Sequence, residues 1–322
     1  MRVAVTGGSG VVGRAVLGHL VAAGHDVRAL ARSDEARARV ESLGAVPVVG
    51  DVLDRLAVDK LVSDAELVFH VAGVNETCSR DPARMWRVNV DGTAVIAEAS
   101  ARAGARRLVH TSSAATIGEA EGETAVEDTR RARGYLSEYE RSKTAAETLV
   151  FSADPAIEVV SVNPSSVQGP GRATGTGALL LAAARGKLPF LVDATFSVVD
   201  IDDCARGHLL AAERGVPGER YLLSGAVLTV RQAVGLIAGL EEGLHRPWFV
   251  DPGAVRMLAP VVEAMFGLLG RDPPLCPESV RVLLHGHRHD GSRATRELGL
   301  EYTTVADTFA RTLQWYRAEG LL

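Results

Sequence analysis

Tyr139 and Lys143 stand four residues apart in "YERSK", residues 139–143, inside a stretch with helical periodicity. At that spacing two side chains share one face of a helix. A free tyrosine has a pKa of ~10 and is a poor base at neutral pH. A neighbouring ammonium favours the phenolate and lowers that pKa, which would make the pair a device for moving a proton. The spacing is also that of any i,i+4 pair on a solvated helix face, so its meaning rests on the rest of the chain.

A second group of residues suited to chemistry opens the chain. "TGGSGVVG", residues 6–13, follows the apolar run "RVAV" and leads into "VVGRAVLGHLVAAG". Gly7, Gly10 and Gly13 are spaced GxxGxxG, while Gly8, Gly10 and Gly13 satisfy GxGxxG. A dinucleotide pyrophosphate needs a tight turn after a strand, a backbone it can touch, and free N–H groups at a helix amino end. A β-carbon obstructs each of these. Val11 and Val12 would begin that helix, so dinucleotide binding is expected here.

The second strand should end in "ALARSD", with Ala31, Arg32 and Ser33 where enzymes that use NAD carry a carboxylate for the ribose 2′-hydroxyl. A guanidinium at Arg32 would match a 2′-phosphate, with Ser33 as a second donor. NADP(H) is therefore favoured, and NAD(H) is possible if Asp34 reaches the ribose.

These residues must be held by a scaffold, and the chain supplies one. It has 322 residues, of which 47% are apolar and 23% charged, with a net charge of −5. That is a globular composition, and it lacks the basic surplus of a nucleic-acid binder. No apolar run reaches the ~20 residues of a membrane span. "GALLLAAARG" and "VVEAMFGLLG" read as core helix, and "MRVAVTGGSG" reads as a strand running into a turn, so a signal peptide is not expected in it. Cys78, Cys204 and Cys276 lie far apart without a CxxC, so neither a disulfide framework nor a zinc site is expected, no metal is assigned, and a reducing cytoplasm fits.

Along the first half, short β-rich runs alternate with helical stretches. In the helix after the glycine turn, Val12, Val16, Leu20 and Ala23 share a face and Gly24 is a fitting stop. "DVRALA", "AVPVVGD", "ELVFHVAG", "RRLVHTSS" and "IEVVSVNP" read as further strands. The implied fold is α/β: a Rossmann-type doubly wound parallel sheet, with a smaller, mostly helical C-terminal substrate lobe over its carboxyl edge. "TFSVVDIDD" and "ERYLLSG" read as strands that return to the sheet. "RPWFVDPG" and "RDPPLCPES" interrupt the helical region. Residues 1–165 with 194–224 would bind the dinucleotide, and residues 166–193 with 225–322 the substrate.

In order and spacing, "TGGSGVVG", "GDVLD", "FHVAG", "NVDGT", "HTSSAATIG", "YERSK" and "VNPSSVQGPG" resemble the extended short-chain dehydrogenase/reductases, the NAD(P)-dependent epimerase/dehydratase family. The resemblance spans essentially the whole chain. It implies that Tyr139 is the acid/base and that Lys143 both tunes it and holds the nicotinamide ribose. Ser113 would bind the substrate oxygen, and Ser112 would only satisfy backbone groups at the strand end. It places Asp51 and Val52 beside the adenine, Ala72 and Gly73 against the adenosine, and Pro164 and Ser166 of "NPSS" over the nicotinamide. Asn89 would support the site from its helix. A homodimer paired through a four-helix interface, made by the helices carrying "VNVDGTAVIAEAS" and "YERSK", is implied as well.

Departures from the family pattern narrow the chemistry. Ala114 and Ala115 follow Ser113, where the dehydratases carry acidic residues, and Ile117 stands where sugar epimerases often have tyrosine. "HGHRHDGSR" is the nearest basic stretch, as a phosphate site or a solvated loop. The whole looks closest to the dihydroflavonol-reductase-like branch and the hopanoid-associated epimerases near it. Hydride transfer to or from a carbonyl or alcohol of a bulky, rather apolar small molecule is expected. A nucleotide-sugar epimerase with tightly bound NAD and a catalytically silent, cofactor-sensing protein are the alternatives.

Overall fold

Along β1 (Arg2–Thr6), Val3 and Val5 point to one side of a sheet and Ala4 to the other, the two-residue period of a strand. The same split recurs in β4 (Leu67–His70) and β5 (Arg107–Thr111), where Phe69 and Val109 join Val3 while Val68 and Leu108 join Ala4. Both faces are apolar, so both must be covered, and that demand produces a doubly wound sheet. The computed structural model describes residues 1–241, 247–268 and 276–322, with the backbone alone for 260–264 and 266–268.

The remaining strands are β2 (Asp26–Ala31), β3 (Val46–Val49), β6 (Glu158–Pro164), β7 (Ser166–Gln168), β8 (Phe190–Val192), β9 (Thr195–Asp200), β10 (Arg220–Leu223), β11 (Ala226–Thr229) and β12 (Trp248–Val250). Among the described residues, seven of the twelve strands form one all-parallel sheet in the order β10-β6-β5-β4-β1-β2-β3. Helices Val11–Ala22 and Ile201–Arg214 bury Val16, Leu17, Leu20, Cys204 and Ala211 on one face. Helices Arg55–Val62, Gly92–Arg102 and Glu138–Phe151 bury Val58, Leu61, Ile96 and Val150 on the other. The first helix stops as expected, with Gly24 at φ +76° just past its end.

A third core lies beyond the sheet's carboxyl edge. It joins Leu180 and Leu181 of helix Thr176–Ala184, Ile237 of helix Val230–Leu240, and Phe309, Leu313 and Tyr316 of helix Val305–Ala318. β10 enters the main sheet as anticipated, but β9 does not. It pairs parallel with β7 and antiparallel with β11 in a separate three-stranded sheet. The edge of β6 is already taken by β10, so β9 has no ladder to join there. The helical reading of "VVEAMFGLLG" and the break at 271–279 fall partly outside the described residues.

The cysteines correct an expectation. Cys78 and Cys276, 198 residues apart, form a disulfide with their Cα atoms 6.5 Å apart, while Cys204 is free and buried. The fold lays the amino end of helix Pro277–His285 over the loop that carries Cys78, a juxtaposition that chain spacing does not encode. Glu278, in the first turn of that helix, accepts hydrogen bonds from the Cys78 amide and, at 2.7 Å, from the Glu138 amide. With a disulfide present, the cysteines no longer argue for a reducing compartment.

Helix Glu138–Phe151, which carries Tyr139 and Lys143, is fixed at its start by buried charge. Ser137 caps it by accepting from the Glu140 amide. The Glu140 carboxylate accepts from Arg131 at 2.6 Å, from Arg133 at 3.0 Å and from the Leu136 amide at 3.0 Å. Removing one member of such a cluster leaves the others buried and unpaired. Glu140→Ala should therefore destabilise the protein by about 3–5 kcal/mol in denaturant unfolding. A loss under about 1 kcal/mol, the level of an exposed pair, would show that the cluster does not hold this helix.

Candidate active site

Gly7 follows β1 at φ +73°, and a β-carbon there would lie 2.6 Å from the Ala72 nitrogen. A β-carbon on Gly13 would lie 1.9 Å from the Gly7 carbonyl oxygen. These two glycines are required by contact, whereas Gly10 meets only the Gly7 oxygen, at 3.2 Å. The Gly10 amide closes the turn on that oxygen at 2.9 Å. Gly10 caps helix Val11–Ala22 with no side chain, and among the described residues no side chain caps its first amides. A backbone cradle that only glycine permits, set at an uncapped helix amino end, fits the pyrophosphate of a dinucleotide.

Arg32 lies immediately after β2, as anticipated. It is more than half exposed and pairs loosely with Asp51 at 3.6 Å. Ser33 caps helix Asp34–Ser42 by accepting from the Ala36 amide at 3.2 Å. Val52 is buried against Gly92, where a β-carbon would meet its Cγ1 at 2.9 Å. Gly73 has Asn89 Oδ1 and Lys143 Nζ closest to where its β-carbon would stand.

Thr111 ends β5, and Ser112 and Ser113 follow. Ser113 begins a short 3-10 turn and accepts from the Ala115 amide at 3.3 Å. Its hydroxyl faces Tyr139. Ser112 departs from expectation: its buried hydroxyl has no hydrogen-bond partner, so it does not satisfy the strand end. Burial pushes the Tyr139 phenol above its usual pKa, against the Ser113 hydrogen bond and the nearby Arg172 charge, both of which pull it down. Arg172 is thus a second cation beside Tyr139, one the sequence did not suggest. Lys143 is itself buried, and that burial lowers its pKa to about 8, against the pull of Glu147 one turn on. Its ammonium donates to the Thr111 carbonyl at 2.7 Å.

Asn89 takes the supporting place anticipated for it. It sits in a π-helical turn, Arg87–Asp91. Its Oδ1 accepts from the Val74 amide at 2.7 Å, and its Nδ2 donates to Val74 O at 3.0 Å and Ser142 Oγ at 2.9 Å. Such turns often mark functional sites.

One cavity of about 990 Å³ gathers these groups. Gly7, Gly10, Val11, Val12, Gly13, Arg32, Asp51, Val52, Ala72, Gly73, Ser113, Tyr139, Lys143, Pro164 and Ser166 all line it, and Ser33 alone of the expected residues stands off. Its far end is apolar, with Leu179, Leu180, Phe190, Val230, Ile237 and Phe309. Arg172, His287 and His289 are among the lining residues that were not anticipated. Arg172 was hidden in "GPGRATGTG", where a single cation among glycines was its only signal. His287 and His289 were hidden in "HGHRH", whose signal was the alternation of its imidazoles.

Residues 3–224 match the family model described as the NAD dependent epimerase/dehydratase family. The chain is 32% identical to Sterol demethylase protein B of Methylococcus capsulatus (strain Bath), over 100% of both chains. It is 35% identical to a 4-hydroxy-2-methyl-3-oxo-4-farnesyl-3,4-dihydroquinoline-1-oxide ketoreductase of Stigmatella aurantiaca, covering 93% of this chain and 91% of that one. Among solved structures, that of gox2253 superposes with a TM-score of 0.87 at 28% identity, covering 100% of this chain and 99% of the other. The cradle, the serine–tyrosine–lysine set and these likenesses agree: the chain belongs to the NAD-dependent epimerase/dehydratase family and is an NAD(P)-dependent enzyme of the oxidoreductase/epimerase type.

Proposed function

We propose that the protein reduces a ketone or aldehyde on a bulky, mainly apolar molecule, or oxidises the corresponding alcohol, with NADP(H) as the favoured cofactor. The observation that carries this reading is the single cavity running from the glycine cradle, past Ser113 and Tyr139, to a wall of leucine, isoleucine, valine and phenylalanine side chains. An apolar wall suits a hydrocarbon body better than a nucleotide sugar. Two relatives named for sterol and farnesyl-quinoline-oxide substrates support the same substrate class. Residues 1–165 with 194–224 would bind the dinucleotide and residues 166–193 with 225–322 the substrate.

The bound nicotinamide would supply or take up the hydride. The chain's own residues orient the reactants and handle the proton. Ser113 Oγ donates to the substrate oxygen and steadies the charge that develops on it. Tyr139 passes its phenolic proton to that oxygen. Lys143, already tethered to Thr111, adds positive charge beneath the ribose and nicotinamide.

Tyr139→Phe should leave cofactor affinity nearly intact and cut turnover by ~10²–10⁴-fold. Ser113→Ala should cut it more than Ser112→Ala; the reverse order would move the catalytic hydroxyl to Ser112. Because burial raises the phenol's pKa, Tyr139 stays protonated through neutral pH. Reduction spends that proton, so its kcat/KM should be level from about pH 6 until Lys143, with its pKa lowered to about 8, loses its charge and the rate falls, while alcohol oxidation needs the phenolate and should climb with pH. Oxidation that is flat across that range would contradict Tyr139 as the base. A screen of aldehydes and ketones for NADPH consumption tests the reading as a whole.

Cofactor choice turns on Arg32. Arg32→Ala should weaken NADP(H) by about 1.5 kcal/mol, the low end for a hydrogen bond to a charged group at an exposed site, and leave NAD(H) nearly unchanged. Calorimetric titration of both cofactors decides this, and equal or tighter binding of NAD(H) to the wild type would reverse the preference.

We further infer a cytoplasmic location, where reduced nicotinamide is replenished, and a homodimer through helices Gly92–Arg102 and Glu138–Phe151. Glu98, Arg102 and Arg141 on their outer faces would give that interface a polar rim. Light scattering should return about twice the chain mass of 34.0 kDa, and the monomer mass would refute the dimer.

A further inference from the structure

Glu119 lies six residues beyond Ser113, fully buried, and three histidines surround its carboxylate. His287 Nδ1 stands 2.7 Å from Oε1, His285 Nε2 3.4 Å and His289 Nε2 3.8 Å. His285 ends helix Pro277–His285, Gly286 turns the chain in a left-handed conformation, and His287 and His289 follow. The ring centroids lie 4.9 Å apart from His285 to His287 and 5.6 Å apart from His287 to His289, the latter two rings stacked at 12°.

The backbone of this run is pinned. The Ala125 amide donates to Arg288 O at 2.8 Å, and the His289 amide donates to Ser197 Oγ at 2.8 Å. Arg133 Nε donates to the Glu119 carbonyl at 3.0 Å. Three backbone anchors therefore aim these side chains at one point.

An ordinary ion pair does not account for the cluster. His287 alone satisfies Glu119 Oε1 by a hydrogen bond. Among the described residues, Glu119 Oε2, His285 Nε2 and both ring nitrogens of His289 are buried without a hydrogen-bond partner. Buried polar atoms are seldom left so, and one carboxylate oxygen and three imidazole nitrogens left together mark a place where something else binds.

We propose that Glu119, His287 and His289 form a site for a divalent first-row transition ion, with zinc as the reference ion. One ligand atom from each lies within 4.8 Å of the other two. Tetrahedral zinc with bonds of about 2.0–2.1 Å sets its ligand atoms roughly 3.3–3.4 Å apart, so small side-chain shifts from the observed spacings suffice. Two imidazoles and a carboxylate are a donor set that zinc accepts. His285, beside the same oxygen, supplies a fourth protein group. His287 and His289 also line the cavity that holds Ser113 and Tyr139, so the ion would stand in its wall, where water or a substrate oxygen can complete its shell.

The test uses untagged full-length protein, stripped with a chelator and titrated with zinc chloride by calorimetry, with bound metal counted by mass spectrometry. One ion per chain is expected. His287→Ala and His289→Ala should each weaken binding by more than the roughly 10–100-fold that loss of a supporting partner costs. His25→Ala, remote from the cluster, should bind as the wild type. Glu119→Gln keeps the shape of the site and should also lose affinity. If the variants do not fold, the wild type loaded with Co²⁺ decides: intense ligand-field bands of a four-coordinate ion support the site, and the pale spectrum of aqueous Co²⁺ overturns it. Failure of the wild type to take up one equivalent, or variants that bind like it, would equally overturn the site.

Discussion

A buried ammonium is costly unless acceptors surround it, and Lys143 is 4% exposed. Its bond to the Thr111 carbonyl ties helix Glu138–Phe151 to the last residue of β5. Ser112 and Ser113 begin immediately after, so this bond also sets the height of Tyr139 over Ser113. The next turn of the helix carries Glu147, whose carboxylate accepts from Asn163 at 2.6 Å, Ser161 at 3.0 Å and Arg220 at 3.3 Å. Lys143 therefore lies between a carbonyl of one strand and a carboxylate secured to the next. Burial away from water lowers its pKa to about 8, against the pull of that carboxylate.

A second polar chain connects the glycine turn to the same helix. Thr6, at the end of β1, donates to His70 Nδ1 at 2.7 Å, and His70 Nε2 meets Thr93 Oγ1 at 3.0 Å. Thr93 donates to the Asn89 carbonyl at 2.6 Å, Asn89 Nδ2 to Ser142 Oγ at 2.9 Å, and Ser142 to Tyr139 O at 2.9 Å. Burial drops the His70 pKa to about 3, so its ring is neutral, with one nitrogen to donate and one to accept. Because the Thr93 hydroxyl proton goes to the Asn89 carbonyl, His70 Nε2 donates to Thr93 and His70 Nδ1 accepts from Thr6. Such a network resists displacement because each break would leave a buried group unpaired.

Local patterning carried much of this. The glycine turn, the two-sided apolar strands and the Tyr139–Lys143 spacing each sit within a few residues, where propensity and period speak directly, and the Arg32 position at a strand end was legible for the same reason. What stayed hidden depends on chain meeting chain. The partner of β9 was fixed by which edge β10 had already filled, and Cys78 met Cys276 only through the lobe's placement. Arg172 acquired its proximity to Tyr139 from a loop whose glycines announced a turn but no direction. Glu119 and the "HGHRH" run lie 166 or more residues apart, and neither segment resembles a ligand set alone. Ser112 was read too simply, because a strand-end hydroxyl is satisfied only if the following turn brings an amide to it.

Arg172 ties the helical lobe to Tyr139. Tyr316, on helix Val305–Ala318, donates to the Arg172 carbonyl at 2.8 Å and to that of Gly177 at 3.0 Å. A β-carbon on Gly177 would lie 2.5 Å from the Arg172 oxygen, so the loop and the following helix close on each other through glycine. The guanidinium is partly desolvated, and its Nε is buried without a partner. An arginine held this way keeps charge near the Tyr139 phenol only while the lobe holds its loop. Burial and Arg172 thus act on Tyr139 in opposite directions, and both are set by how closely the lobe packs over the sheet edge. Movement of the lobe away from the sheet would weaken both influences together, so the acid strength of Tyr139 is a property of the closed cavity rather than of the tyrosine–lysine pair alone.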